Sequence, residues 1–148
     1  MGRRLIIYAV LALMGMWGVA ISQNASKPME RMTLRMGNNF LQLDVARDGT
    51  DIHKGLMHRQ ALAKNSGMLF VLPQATQHCF WMKNTLIPLS IAFINHRGYV
   101  MQIDDMQPNS KQQYCTGESS RFAIEVNQGV FQVMAVKKGT RITGLPIF

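Results

Sequence analysis

Residues 89–103 read Leu-Ser-Ile-Ala-Phe-Ile-Asn-His-Arg-Gly-Tyr-Val-Met-Gln-Ile, and this stretch decides the fold class. Leu89, Ile91 and Phe93 alternate with Ser and Ala, which is the two-residue period of a half-buried strand. The turn-forming run Asn-His-Arg-Gly then leads into a second alternating segment over residues 99–103. The stretch therefore predicts an antiparallel β-hairpin.

The same period recurs on both sides of this hairpin. Residues 32–36 and 40–47 alternate around a Gly-Asn-Asn turn, which predicts a second hairpin. Another strand is predicted over residues 122–126, where Phe, Ile and Val share one face. Glu125 and Asn127 occupy the opposite face, which we expect to remain polar.

Two short helices are predicted between the strands. Asp51 is suited to cap a helix that continues to about Ala63. Asn127 can cap a further turn or two through Met134, before a last strand at residues 140–145. Six to eight short strands with one or two helices indicate an α+β fold, a compact β-rich domain whose mainly antiparallel sheet can close into a barrel.

The N-terminus has the parts of an export signal: an Arg-Arg start, an apolar run over residues 5–21, and small residues suited to cleavage. We interpret residues 1–22 as a signal peptide. A retained anchor is the alternative, because an apolar run of about 17 residues is at the lower limit for spanning a bilayer. Residues 23–31 are expected to form a flexible leader and residues 32–148 a single domain, since 148 residues exclude a multidomain chain.

Export predicts a periplasmic or extracellular protein. Loss of Arg3 and Arg4 with the signal would lower the formal net charge from +8 to +6. The remaining basic residues are scattered, with Lys137-Lys138 as the one adjacent pair, so we expect no nucleic-acid partner. Contact with a membrane is expected only through an uncleaved N-terminal segment.

Four strings carry a resemblance to a known family: GLMHR at 55–59, GMLFVL at 67–72, CFWMKNTLIPLSIAFI at 79–94 and AIEVNQG at 123–129. They resemble the signature blocks of DUF192 (UPF0127), a family of small, often exported, uncharacterised proteins, over about residues 32 to 143. The resemblance implies a compact β-rich α+β fold and frequent secretion, and it implies no accepted reaction. Ser90 and Thr140 stand where relatives commonly carry Asp, which weakens acid-base proposals at those two positions.

The two cysteines, Cys79 and Cys115, are predicted to form a disulfide. An exported domain folds in an oxidising compartment, and an even number of cysteines can pair completely. The alternative makes Cys79 a nucleophile with His78 as its base. Neighbouring residues on a strand point to opposite faces, so this alternative is weak.

Polar residues embedded in the signature blocks are the candidate site. Trp81 and Lys83 share one strand face, which places an aromatic plane beside a cation and suits a sugar, peptide or small anionic ligand. The scaffold alternative is that the amide and hydroxyl groups form turns and that Arg59 and Glu125 form a partly buried ion pair. The predicted ligand-binding residues are Arg59, Trp81, Lys83, Asn84, Glu125 and Asn127, with Thr85 beside them.

We expect a non-catalytic binding module for a small ligand or an envelope component, with no cofactor. The first alternative is a hydrolase-like envelope enzyme in which Glu125 and Asp105 transfer protons. The second is a Cu(I)-binding protein, with Met29, Met32 and Met36 as thioether ligands and His53, His58 and His78 as further candidate ligands. Methionines on an alternating strand face are more simply explained as core residues.

Overall fold

A computed structural model of the chain describes residues 28–146. The predicted signal peptide and residues 23–27 of the predicted leader lie outside the described residues. The first strand begins at Arg31, one residue before the predicted start of the domain. None of the helices formed by residues 28–146 combines the length and the apolar content needed to cross a membrane.

The α+β prediction is confirmed, since a curled, mixed seven-stranded sheet dominates the described residues. Its strands lie in the spatial order β6-β5-β8-β3-β2-β1-β9, and β4 pairs with β7 in a separate two-stranded sheet. The strands are β1 Arg31–Met36, β2 Asn39–Ala46, β3 Ser66–Thr76, β4 Cys79–Phe80, β5 Leu89–Ile94, β6 Val100–Met106, β7 Tyr114–Cys115, β8 Ser120–Asn127 and β9 Ile142–Thr143.

Both predicted hairpins are present. In the first, β1 and β2 pair antiparallel with Met36 opposite Asn39, and in the second, β5 and β6 pair with Leu89 opposite Met106. One pair departs from the antiparallel pattern: β2 and β3 run parallel. The helix α1 (Gly49–Lys54) lies in the connection between them, as a parallel pair requires a crossover.

The two edge strands of the sheet approach each other at one end. Val100 N donates a hydrogen bond to Thr140 O at 2.9 Å, and Ile142 N donates to Gly98 O at 2.8 Å. An isolated antiparallel bridge joins Tyr99 to Arg141. The sheet therefore curls into a half-barrel whose edges are linked by these contacts, which we call the seam.

Each face of the curled sheet carries its own core. The first core draws on both edge strands, including Val100 and Ile142, and on Phe131 of α2 (Val130–Val133), so it fills the curl. The second core lies on the other face, where Phe70 packs with Leu56 and neighbouring apolar residues. The prediction that the face of Glu125 remains polar is therefore wrong, because the chain covers that face as well.

Both helices are shorter than predicted. Asp48, not Asp51, caps α1: its Oδ1 accepts a hydrogen bond from Asp51 N at 2.8 Å. The helix ends at Gly55, whose φ of 47° departs from the helical conformation, so it does not continue to Ala63. Because Asn127 is the last residue of β8, Gly129 takes the capping position of α2 in its place.

The final strand is also shorter than the predicted 140–145. Gly139 and Gly144 have φ values of 85° and 90°, outside the extended conformation of a strand. Only Ile142 and Thr143 between them pair with β1.

Candidate functional site

A cavity of about 360 Å³ opens on the second core. Apolar side chains make up one part of its wall, and the polar groups are few. The lining includes Ile52, His53 and Leu56 from α1 and the turn after it, Phe70 and Leu72 from β3, His78, Phe80 and Trp81 around β4, and Thr85, Gln113 and Glu125.

The carboxyl group of Glu125 is the buried ionisable group of this cavity. Only 4% of the residue is exposed. Within residues 28–146, its carboxyl group has neither a hydrogen-bond partner nor an ion-pair partner. Burial in this apolar setting disfavours the charged form and raises the pKa of Glu125 from 4.5 to about 8. Glu125 is therefore mostly an uncharged acid at neutral pH.

Two neighbouring strands fix the backbone of Glu125. It stands opposite Met68 of β3 on one side and Ile91 of β5 on the other. The contact with β3 is unusually close, because a Cβ atom at Gly67 would lie 2.2 Å from Glu125 O. A glycine is therefore required there, and the carboxyl group projects from the middle of the sheet.

Phe70 and Phe80 form part of the apolar wall of the cavity and pack with further aromatic rings. The ring of Phe80 meets Phe70 edge to face at 5.0 Å between centroids and Phe93 at 5.7 Å. Such edge-to-face pairs are favourable in addition to the area they bury. This wall is therefore well packed.

Trp81 forms the accessible rim and is 40% exposed. The imidazole of His53 meets its indole edge to face at 6.4 Å, and Lys83 Nζ lies 5.5 Å from the ring centroid. The predicted cation beside this aromatic plane is present, but the predicted strand is not, because β4 ends at Phe80 and both Trp81 and Lys83 follow it. The predicted disulfide is also formed: Cys79 pairs with Cys115 and ties β4, which precedes Trp81, to β7.

Two histidines of the lining, His53 and His78, were considered only in the alternatives, as copper ligands and, for His78, as a base for Cys79. His53 projects from the short helix α1, and His78 precedes β4, with its Nε2 2.9 Å from Gln74 O and 3.2 Å from Thr76 Oγ1. Residues 53 and 78 are far apart in the chain, so no sequence pattern placed them in one cavity with Trp81 and Glu125.

Arg59 lies outside the cavity, and the predicted ion pair with Glu125 is wrong. Arg59 Nη2 donates to Asp44 Oδ2 at 2.7 Å, and Arg31 Nε donates to Asp44 Oδ1 at 2.8 Å. Burial acts to raise the pKa of Asp44, but the hydrogen bonds and charges of the two arginines hold it below its ordinary value. Asp44 and Glu125 both stand opposite Met68 in one cross-strand row, and only Asp44 has partners among the described residues.

The two predicted asparagines have backbone contacts instead. Asn127 Nδ2 donates to Leu62 O at 2.9 Å, so it fixes the chain after α1. Asn84 adopts a positive φ of 57°, and its carbonyl accepts a hydrogen bond from His58 N. Neither residue lines the cavity.

Asp105 and Glu125 lie on opposite faces of the sheet. Ser90 stands opposite Asp105 and its Oγ donates to Asp105 Oδ1 at 2.5 Å. The next residue, Ile91, stands opposite Glu125. Since neighbouring residues of a strand point to opposite faces, the two carboxyl groups cannot act on one substrate atom.

The three methionines proposed as copper ligands are divided between the two cores. Met32 and Met36 pack in the first core, as the strand alternation predicted, and Met29 packs against the second. In the part of the chain that the structure describes, no cluster of three or more His, Cys, Asp or Glu side chains is placed to hold a metal ion.

The fold and cavity define a class: a small half-barrel with a disulfide-tied aromatic cavity around a buried acid. The chain belongs to the family DUF192, described as "Uncharacterized ACR", whose model matches residues 32–144. Comparison with curated proteins found no match.

Two of the solved structures that are similar to this chain each cover more than three quarters of it. One is a putative transcription regulator from Sinorhizobium meliloti 1021, at 27% identity and a TM-score of 0.76, covering 78% of this chain and 95% of that one. The other is a protein of unknown function from Novosphingobium aromaticivorans DSM 12444, at 26% identity and a TM-score of 0.69, covering 77% of this chain and 84% of that one.

Proposed function

We propose that this protein is an exported binding module whose aromatic cavity takes a small molecule with one apolar face and an oxygen that accepts a hydrogen bond from Glu125. The observation that carries the proposal is the buried Glu125 carboxyl, which lines the cavity without a partner in residues 28–146. The carboxyl oxygens are not among the fully buried unpaired atoms of residues 28–146, so they are accessible from the cavity. A ligand in the cavity can therefore supply their hydrogen-bond partner.

The protonation state of Glu125 selects the ligand group. With a pKa of about 8, the carboxylic acid is the main form at neutral pH, and it can donate a hydrogen bond. Carbonyl, hydroxyl and ether oxygens accept such a bond. The positive charge of Lys83 near Trp81 makes the rim unsuited to a cationic ligand.

The size and lining of the cavity fit this ligand class. A volume of about 360 Å³ is within the range of small-molecule sites, which combine apolar walls with a few polar groups. Trp81 presents a partly exposed indole on which a sugar or peptide ring can stack. Carbohydrates and short peptides are therefore the first compounds to test.

Export is part of the proposal. The Cys79–Cys115 disulfide supports it, because disulfides persist in oxidising compartments outside the cytosol. The apolar N-terminal run of the sequence supplies the signal. Fractionation of cells should find the protein outside the cytosol, and a reduced protein in the cytosol would contradict this part.

A thermal-shift screen of envelope saccharides and short peptides tests the binding site. A compound that binds only the folded protein raises its melting temperature by mass action. Trp81→Ala and Glu125→Leu should each abolish the shift, because Leu has no group that can donate a hydrogen bond to the ligand. Two matched controls should retain it: Phe40→Ala, at an exposed aromatic residue outside the cavity, and Asp105→Asn, on the other face of the sheet.

The pH dependence separates donation by the acid from binding by the carboxylate. If the protonated acid donates to the ligand, affinity falls about tenfold per pH unit above the pKa of Glu125. An affinity that rises above pH 8, or a ligand whose shift survives Trp81→Ala and Glu125→Leu together, would contradict the proposal.

General-acid catalysis is the second candidate function. A carboxyl group whose burial raises its pKa can protonate a leaving group near neutral pH. In this case, envelope glycans or peptides should be cleaved by the protein, and Glu125→Gln should abolish turnover while Asp105→Asn leaves it unchanged. Ligand binding without cleavage over prolonged incubation would reject catalysis and leave the binding proposal standing.

A further inference from the structure

The disulfide between Cys79 and Cys115 lies at the wall of the aromatic cavity. Cys79 lines the cavity itself, and Gln113, which lines it from the other side of the bridge, comes two residues before Cys115. Both cysteines are exposed to solvent. Exposed disulfides exchange readily with thiols, so a reductant can reach this bridge while the protein is folded.

The bridge joins two short strands outside the seven-stranded sheet. Cys79 stands opposite Cys115 and Phe80 stands opposite Tyr114, and these two residue pairs make up the whole of the β4–β7 sheet. A pair of strands this short is at best marginally stable by itself. We therefore expect the covalent bridge to be a main part of what holds β7 against β4.

The part of the chain that reduction releases can be read from the strand order. The two cysteines are 36 positions apart, but most of the segment between them is anchored independently. It contains β5 and β6, which pair with each other, and β5 also pairs with β8. The remainder connects the end of β6 at Met106 to the start of β8 at Ser120. Reduction therefore gives freedom to residues 107–119 and leaves the main sheet in place.

Backbone hydrogen bonds hold the two ends of this connection more firmly than its middle. Asn109 N donates to Thr85 O at 2.9 Å, and Thr116 N donates to His78 O at 3.0 Å. Residues 111–113, between these two points, are all exposed. Hydrogen bonds open to water contribute little individually. Once the bridge is broken, β7 can separate from β4.

We propose that the Cys79–Cys115 bridge is a redox-exchange site for a dithiol, and that its reduction opens the wall of the aromatic cavity formed by β4 and β7. One thiolate of the dithiol attacks one sulfur of the bridge, which forms a mixed disulfide and releases the other cysteine as a thiolate. The second thiol of the dithiol then displaces the first cysteine. The protein gains two electrons and two protons, and the dithiol leaves as a disulfide.

The opening acts on the groups that define the cavity. Phe80 of β4 packs edge to face with Phe70 and Phe93, and Trp81 follows it at the rim. Without β7 beside it, β4 loses its strand partner, and Gln113 leaves the lining. The consequence for ligand binding rests on the proposed function, but the opening itself does not.

Reduction of the full chain with dithiothreitol in the absence of denaturant, followed by iodoacetamide labelling and mass spectrometry, tests the exchange step. The chain has two cysteines, so each label is directly assigned to the bridge. Hydrogen exchange of the oxidised and reduced proteins tests the opening. The double substitution Cys79→Ser with Cys115→Ser copies the reduced state without a reductant, and oxidised dithiothreitol is the control reagent. Protection of β5 and β8 verifies that each sample is folded.

We expect both cysteines to be labelled without denaturant. Amide exchange should become about tenfold faster or more in residues 79–82 and 110–116, with little change in β5 and β8. The double variant should match the reduced protein and should not respond to dithiothreitol.

A bridge that is reduced only after urea unfolds the protein would overturn the exchange site. Unchanged amide exchange in the reduced protein would overturn the opening, and so would a loss of protection throughout β5 and β8, because reduction would then unfold the whole domain. These measurements contain no ligand. Their failure therefore leaves the binding proposal to be decided by Trp81→Ala and Glu125→Leu.

Discussion

Replacing Glu125 by Gln removes a buried titratable group and leaves a side chain of nearly the same shape. In the wild-type protein, burial raises the pKa of Glu125 from 4.5 to about 8. Between these two pH values the folded chain holds a proton that the unfolded chain releases. The free energy of unfolding must therefore fall as the pH rises through this window.

The magnitude follows from the linkage between proton binding and folding. Each pH unit inside the window lowers the free energy of unfolding by about 1.4 kcal/mol. Between pH 5 and pH 7, the wild-type protein should lose about 3 kcal/mol from this group, and the loss should level off above pH 8. Gln does not titrate, so Glu125→Gln should gain about 3 kcal/mol relative to wild type over the same interval.

Urea unfolding of both proteins at pH 5, 6, 7 and 8, with the disulfide intact, measures this difference. Asp105→Asn is the matched control, because it makes a similar change at an exposed carboxylate on the other face of the sheet. The difference in the free energy of unfolding between Glu125→Gln and wild type should change with pH. A change of less than about 0.5 kcal/mol between pH 5 and pH 8 would refute the conclusion that Glu125 is a buried, uncharged acid.

Three other substitutions test the scaffold, each by urea unfolding. Asp44→Asn should cost about 2 kcal/mol at pH 7, since it removes two charge-assisted hydrogen bonds. The pKa of Asp44 is lowered on folding, so its stabilisation is present above its ordinary pKa and is lost as the pH falls through the lowered value. An equal cost at pH 2 and pH 7 would contradict that assignment. Replacing Cys79 and Cys115 together by Ser should cost about 3 to 4 kcal/mol in the chain-entropy estimate, and an unchanged urea midpoint would show that the bridge contributes nothing. Gly67→Ala should cost about 3 kcal/mol or more, because its Cβ meets the backbone of β8 at 2.2 Å, and wild-type stability would contradict that close contact.

Much of the sheet could be predicted because alternation is a local signal. The alternation of Leu89, Ile91 and Phe93 predicts a strand, whichever strands it pairs with. The parallel pairing of β2 with β3 gives no such signal, since it depends on a crossover whose helix is only six residues long. That helix ends early because Gly55 has a φ of 47°, and the spacing of apolar residues does not predict this single angle.

The candidate site was predicted only where its residues are neighbours in the sequence. Trp81 and Lys83 are two residues apart and are in contact, although both lie after the end of β4 at Phe80. Glu125 and Asp105 lie on opposite faces of the sheet because of the register of β5 with β6 and with β8. No local sequence pattern predicts that register. The partner of Arg59 likewise comes from a distant strand, where Asp44 already engages a second arginine.

The burial of Glu125 was the largest departure from the sequence prediction. Its strand alternates as a half-exposed strand does, so a polar residue was expected to face solvent. The residues around β4 and α1, far away in the chain, cover that face with apolar groups. A carboxyl group in a strand position normally open to water thereby becomes the floor of a cavity.

A carbon-13 NMR titration of the glutamate carboxyl groups tests the central claim most directly. The chain has three glutamates, Glu30, Glu118 and Glu125, and the spectrum of Glu125→Gln assigns the signal. The account predicts that the Glu125 signal titrates with a pKa of about 8 in the absence of ligand. A midpoint near 4.5 would show that this carboxyl is charged at neutral pH, and it would contradict the proposed hydrogen-bond donor.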